Sequence, residues 1–300
     1  MEHNHKHSHS HNINNYSKAF AIGITLNVIY IIVEVIYGLI INSLALIADA
    51  GHNLSDVLGL LLAWAAGYLV TKKPTRKYTY GFKKSSILAA FLNALILLVA
   101  IGAIIWEAIS RFSNPQIIEG KTIMIVAAIG VLINGITAFL FFGGRKNDLN
   151  IKGAFLHMAA DAGISFGVVL VGFVLTFTNY YWLDPVVSII IGILIFWGTW
   201  DLLKDSVNLA LDAVPENIKT EEVENYFNNC NYISGFHDLH IWAMSTTETA
   251  LTVHVTVDGD YERNKIINKI SNDLHKHFAI VHTTIQVEDK QEEECTQNSI

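Results

Sequence analysis

The sequence predicts an α-helical membrane protein, with six transmembrane helices followed by a small α+β domain. Three observations carry that expectation. The 300 residues are 52% hydrophobic and only 16% charged, with a mean hydropathy of +0.38, whereas a soluble chain carries about 25% charged residues. The charge deficit is uneven: residues 19–204 hold 21 charged side chains in 186 positions, and residues 205–300 hold 23 in 96. The first block, finally, breaks into apolar stretches of the length that crosses a bilayer, about 20 residues of helix. This composition excludes an ordinary soluble enzyme and a disordered chain. The two blocks carry 12 basic with 9 acidic and 6 basic with 17 acidic residues, so no basic stripe marks a nucleic-acid partner. The only cysteines, Cys230 and Cys295, form neither a disulfide framework nor a CxxC motif.

The predicted spans are Ala19–Ile41, Leu44–Val70, Ile87–Ile109, Ile123–Phe142, Ala154–Phe177 and Val186–Trp200, the last short unless Trp182 and Leu183 join it. The first is too long for a cleavable signal peptide and has no cleavage-like site before the second. Lysine and arginine gather in cytoplasmic loops. The second-to-third connection carries Lys72, Lys73, Arg76, Lys77, Lys83 and Lys84, and the fourth-to-fifth carries Arg145, Lys146 and Lys152. Asn42-Ser43 and Asn179–Trp182 carry no charge, and Arg111 and Lys121 are offset by Glu119. Every basic loop thus falls on the side shared by both termini, which places both termini in the cytoplasm.

Ionisable groups within spans default to functional candidates because burying them in lipid is costly. The second span holds His52 and Asp56 and the fifth holds His157 and Asp161, each pair four residues apart and therefore on one helix face. One such pair is as readily a structural hydrogen bond. Two with identical spacing supply four nitrogen and oxygen ligands, enough for a tetrahedral Zn²⁺ shell. Two aspartates and two neutral imidazoles give a charge of −2, which a divalent cation cancels. Ala48, Ala50, Gly51, Ala159, Ala160 and Gly163 flank the pairs and permit close helix approach. Glu34, Asn93 and Asn134 lack a partner at metal spacing and read as interhelical hydrogen-bonding groups. Asp49 neighbours the His52 face and reads as polar packing, or else as a group orienting a ligand histidine.

The C-terminal block reads as helix Ile218–Phe227, strands Phe236–Ala243 and Glu248–Val257, helix Tyr261–Phe278 and strand Val281–Glu288. Leu251, Val253, Val255 and Val257 alternate with polar residues, the period of a half-buried strand. The order helix, strand, strand, helix, strand is that of a ferredoxin-like α+β layer. His254 lies opposite the valine face, and His282 and Glu288 share the polar parity of the last strand. His237, Asp238 and His240 precede Trp242, and His237 has the parity of Leu239 and Ile241. A metal site on the sheet and a set of solvated histidines fit this spacing equally. His3, His5, His7, His9 and His11 alternate in a low-complexity tract that attracts metal, or in an expression tag. The expected division is 1–16 a disordered His-rich cytoplasmic tail, 17–204 the transmembrane domain, 205–290 a cytoplasmic metal-binding domain and 291–300 a disordered tail.

On these residues the chain resembles the cation diffusion facilitator family, in its zinc-exporting branch of bacterial cobalt/zinc/cadmium-resistance transporters. The resemblance runs from about Ser17 to Glu288. It rests on Ser43–Asp56, Tyr80-Gly81-Phe82, His157–Asp161, His237–Trp242 and His282–Glu288. It implies a six-span homodimer in the cell (inner or plasma) membrane that exchanges metal for protons and has a cytoplasmic metallochaperone-like domain. Transport-site ligands are implied at His52, Asp56, His157 and Asp161. Cytoplasmic ligands are implied at His237, His254 and His282, with Glu288 a looser match. Thr71–Lys84 contains no histidine, aspartate or glutamate, so the loop metal site of some relatives is not expected. Cys295 stands alone, so a paired-cysteine site is not expected either.

The function expected is proton-coupled antiport of Zn²⁺, which is both transported substrate and regulatory ligand, and not enzyme catalysis. A closed four-ligand shell leaves no position for a substrate water, and the His-Glu-x-x-His string of an intramembrane metalloprotease is absent. The alternatives are a membrane metal sensor or buffer that does not transport, and an exporter whose main substrate is cadmium or cobalt.

Overall fold

The computed structural model describes residues 13–114, 116–142, 149–258 and 262–289. Six long helices appear: α1 (Ile13–Ile40), α2 (Leu44–Val70), α3 (Ser85–Ser113), α4 (Gly120–Phe142), α5 (Leu149–Phe177) and α6 (Leu183–Ala210). All six contain a stretch long and apolar enough to cross a membrane. Large apolar side chains such as Trp106, Phe139 and Phe177 lie exposed on them, as helices solvated by lipid allow. Leu183 does belong to the sixth helix, and that helix continues past residue 204 to Ala210.

The chain divides into two compact units. The first takes the chain to Leu58 together with Ile96–Thr199, and the second takes Gly59–Leu95 and the chain from Trp200. The core of the first unit is built from Ala45, Leu46, Ile101, Ile123, Ala127, Val168 and Ile191. Helices α4 and α5 approach to backbone contact. A Cβ added at Gly172 would lie 2.5 Å from the Met124 backbone nitrogen, and one at Gly120 would lie 2.6 Å from that of Thr176. Only glycine permits this approach at both places.

The start of α2 is held by a residue distant in sequence. The chain turns through Asn42 in a left-handed conformation, φ 56°. Buried Asp184 of α6 then accepts hydrogen bonds from Ser43 Oγ at 2.6 Å, Leu44 N at 2.8 Å and Ala45 N at 3.2 Å. A helix N-terminus leaves such N–H groups without intrahelical partners, and an acidic side chain satisfies them. Arg111 of α3 donates to the Asn42 carbonyl and is bridged by Glu107 one turn earlier, at 3.1 Å.

In the second unit the C-terminal block forms α7 (Thr220–Asn228), β1 (Gly235–Ala243), β2 (Thr249–Val257), α8 (Arg263–Phe278) and β3 (Ile280–Asp289). The sheet order is β1-β2-β3, antiparallel then parallel. The expected helix–strand–strand–helix–strand order is therefore present. Val223 and Phe227 of α7 and Ile266, Ile270 and Leu274 of α8 pack on Leu251, Val253 and Val255. The connection between α2 and α3 meets this domain. Lys83 pairs with Glu248, Lys84 with Asp212 at 2.7 Å, and Thr246 N donates to Ser86 Oγ at 3.1 Å. These contacts join the basic connection to the C-terminal domain. The His3–His11 tract, Arg145, Lys146, Tyr261 and Cys295 lie outside the described residues.

Candidate metal centres

Helices α2 and α5 bring the two His-x-x-x-Asp pairs together in the first unit. His52 Nε2 lies 3.2 Å from Asp161 Oδ1. His157 Nε2 lies 3.1 Å from Asp56 Oδ2 and 3.7 Å from Asp161 Oδ2. The two imidazole centroids are 6.3 Å apart. Ligand atoms of His52, Asp56 and Asp161 all fall within 4.8 Å of one another, and His157 touches both carboxylates. Two buried oxygens, Asp56 Oδ2 and Asp161 Oδ2, receive no hydrogen bond and meet only the His157 ring nitrogen, at 3.1 and 3.7 Å. Buried acceptors left without donors are costly, and a cation drawn into the group would satisfy both.

The four candidate ligands differ in exposure. The side chains of Asp161 and His52 are 2% and 17% exposed, while those of Asp56 and His157 are 33% and 44% exposed. Asp56 follows His52 along α2, and His157 precedes Asp161 along α5. The more exposed half of the group is thus Asp56 of α2 with His157 of α5.

The flanking polar residues sort themselves. Asp49 does not touch His52's ring nitrogens; its Oδ2 accepts from Ser165 Oγ of α5 at 2.8 Å. Glu34 Oε1 accepts from Tyr30 at 2.8 Å. Asn134 is buried with neither amide atom hydrogen-bonded. Asn93 lies beside Gly59, where an added Cβ would come within 3.2 Å of its Nδ2.

The second group of ligands sits on the sheet. His237 and His254 are cross-strand partners with ring centroids 5.1 Å apart. Glu288 of β3 reaches His254 Nδ1 at 2.9 Å and His237 Nε2 at 3.5 Å. These three form a compact candidate metal group, and His237 Nε2 and His254 Nδ1 are buried atoms without a hydrogen bond, so the donor set fits a cation. The parity expected for His237 is overturned by a bulge. Pairing shifts between His237 and His240, and Asp238 has φ 52°. An extra residue on one strand reverses the alternation beyond it, so His237 shares a face with His254. Asp238 meanwhile approaches His240 at 2.9 Å and His254 at 3.8 Å.

His282 does not join this group. Six residues separate it from Glu288 along β3, about 20 Å at the rise of a strand, so shared parity does not mean shared location. Its ring packs edge-on against Tyr80 of the α2–α3 connection, with centroids 5.5 Å apart. Asp184, unremarked in the sequence, supports the site from outside by capping the helix that carries His52 and Asp56. No signal of spacing links it to Leu44, 140 positions away.

Comparisons with known proteins agree with this architecture. Residues 20–209 match the cation efflux transmembrane domain, and residues 215–290 match the cation efflux protein, cytoplasmic domain. The chain is 38% identical over 264 residues to a cadmium, cobalt and zinc/H(+)-K(+) antiporter of Bacillus subtilis, covering 86% of this chain and 85% of the relative. It is 36% identical over 272 residues to the metal cation efflux system protein CzcD of Cupriavidus metallidurans, covering 90% and 86%. It is 34% identical over 271 residues to the zinc transporter ZitB of Escherichia coli, again covering 90% and 86%. A solved structure, the metal-bound C-terminal domain of the CzcD transporter from Cupriavidus metallidurans, is 35% identical and covers 24% of this chain and 99% of its own, with a TM-score of 0.23. With both parts matched by family models and relatives above 30% identity along most of its length, this multi-pass membrane protein belongs to the cation efflux family.

Proposed function

We propose that this chain exports a divalent metal, zinc foremost, from the cytoplasm in exchange for protons, through His52, Asp56, His157 and Asp161. The observation that carries the reading is the pair of buried, donorless carboxylate oxygens on Asp56 and Asp161, each beside an imidazole. Zinc requires deprotonated ligands, and an imidazole titrates near pH 6.5. The same four side chains can therefore hold either one Zn²⁺ or protons, and each occupant excludes the other. Imidazole with carboxylate suits Zn²⁺, with Cd²⁺ and Co²⁺ close behind, the metals named in the Bacillus relative.

The setting is the cell membrane with both termini cytoplasmic, supported by the basic connections. The working form is a homodimer, as the resemblance implies. The segments are 1–16 tail, 17–204 membrane domain extended by the end of α6, 205–290 cytoplasmic domain and 291–300 tail. His237, His254 and Glu288 bind a further Zn²⁺ that regulates rather than travels, and His282 stands apart from them.

The test is zinc flux in proteoliposomes under an imposed pH gradient. His52→Ala and Asp161→Ala should each abolish flux while the protein stays folded, since three ligands neither enclose nor neutralise the ion. Normal flux in both would overturn the site. Zinc binding without any flux in the unaltered protein would favour a sensor or buffer. A cadmium or cobalt rate exceeding that of zinc would reassign the substrate.

A further inference from the structure

The sheet group of His237, His254 and Glu288 has an acidic neighbour that it does not use as a ligand. Glu288 lies against one ring nitrogen of His254, with Oε1 2.9 Å from Nδ1. Asp238 lies at the other, with Oδ2 3.8 Å from Nε2. The second oxygen of Asp238, Oδ1, is 2.9 Å from His240 Nε2. Among the described residues these two histidines are the ion-pair partners of Asp238.

The backbone aims this carboxylate. Asp238 lies in the bulge between His237 and His240, with φ 52°. Aspartate is one of the few residues besides glycine that take a left-handed conformation readily. In an unbroken strand residue 238 would point to the sheet face opposite His237. The bulge re-aims it, so that it flanks the ring of His254 while His237 flanks the same ring from its own cross-strand position.

A neutral imidazole carries one N–H and one lone pair, and its two nitrogens point away from each other. Which nitrogen keeps the hydrogen is set by the partner it meets. An N–H on Nδ1 would face Glu288 and turn the lone pair toward Asp238, away from His237. An N–H on Nε2 faces Asp238 and leaves the Nδ1 lone pair to join Glu288 and His237, the group whose ligand atoms lie within 4.8 Å of one another. We infer that Asp238 is a positioning residue for the cytoplasmic metal: it accepts the Nε2–H of His254 and so presents Nδ1 to the ion. Lying at the opposite ring nitrogen, it does not share that ion. A cation on Nδ1 makes Nε2–H a stronger donor, which draws the 3.8 Å contact in to hydrogen-bond length. His240 donates to Oδ1 and keeps the carboxylate from swinging away. The inference rests on the proposal that His237, His254 and Glu288 hold zinc, and adds how His254 is made ready for it.

The test uses the His52→Ala chain with His3–His11 deleted, titrated with zinc in detergent. Asp238→Gly keeps the left-handed backbone and removes the acceptor. Asp238→Asn keeps the backbone and an acceptor oxygen but drops the charge. Zinc affinity should fall by about 10- to 100-fold in Asp238→Gly, the loss typical of a group that orients a metal-bound histidine, and by less in Asp238→Asn. Raman difference spectra, zinc-loaded minus zinc-free, separate this role from a structural one, because the ring carbon–carbon stretch of an imidazole reports whether Nδ1 or Nε2 holds the metal. The chain with Asp238 should show an Nδ1-bound band that His254→Ala removes. At saturating zinc that band should be lost in Asp238→Gly and kept in Asp238→Asn. Unchanged affinity in Asp238→Gly, or an unchanged Nδ1-bound band, would overturn the proposal. If Asp238→Gly fails to fold, the other two chains decide: the proposal falls if neither shows an Nδ1-bound band. Full zinc affinity in both His237→Ala and His254→Ala would mean that the metal group itself is misplaced. A loss in those two with none in Asp238→Gly would leave the group standing and remove Asp238 alone.

Discussion

At the scale of single residues, the structure turns on which side chains meet, and parity alone does not decide it. His237 has the wrong alternation for a ligand, yet the bulge at Asp238 brings it opposite His254. His282 has the right alternation, yet it stands about 20 Å of strand away from Glu288. Zinc binding measured on the His52→Ala chain with His3–His11 deleted isolates this group. His237→Ala or His254→Ala should weaken it by more than about tenfold, since loss even of outer-shell partners costs that much. His282→Ala should leave the affinity of the group unchanged. An equal loss on His282→Ala would require β3 to rearrange when metal binds.

At the scale of elements, α2 carries two of the proposed metal ligands, and Asp184 holds its first turn. Three donors from the first turn converge on that one carboxylate. Asp184→Ala should destabilise the protein by about 2 kcal/mol or somewhat more, the upper range for losing a helix cap, because the buried Ser43 hydroxyl loses its acceptor as well. Asp184→Asn keeps an acceptor and should fall between. Thermal unfolding in detergent checks the order, with zinc flux as a second readout of whether His52 and Asp56 are still held. Unfolding temperatures indistinguishable from that of the unaltered protein would remove the cap from the account. The α4–α5 crossing at Gly120 and Gly172 is a companion constraint, fixing the helix that carries His157 and Asp161 against its neighbour.

At the scale of the whole molecule, opposite charges meet within the second unit. The basic α2–α3 connection meets acids of the C-terminal domain, Glu248 and Asp212, so one basic loop and one acidic domain share a side. In the proposed topology, with both termini cytoplasmic, the five histidines of His3–His11 add metal-binding capacity on that same side. Tethered binding groups raise local metal concentration, and this matters only when metal is scarce. Deleting His3–His11 should raise the apparent KM for zinc and leave the maximal rate nearly unchanged. Initial rates in proteoliposomes across a range of free zinc provide the test. A lost maximal rate at constant KM would make the tract part of the transport cycle itself.

The spans, the order of elements in the C-terminal domain and the two His-x-x-x-Asp pairs were legible in the amino-acid string, because each follows from a local period. Apolar runs of bilayer length mark α1 to α6, strict alternation marks β2, and the i,i+4 spacing sets His52 with Asp56 and His157 with Asp161. What folding added are relations between distant segments that no period encodes. Asp184 meets Leu44 across 140 positions, Ser165 meets Asp49 across 116, and one bulge re-aims His237 while leaving His282 against Tyr80. Local sequence governs the geometry of each helix and strand, but packing in three dimensions decides which side chains share a site.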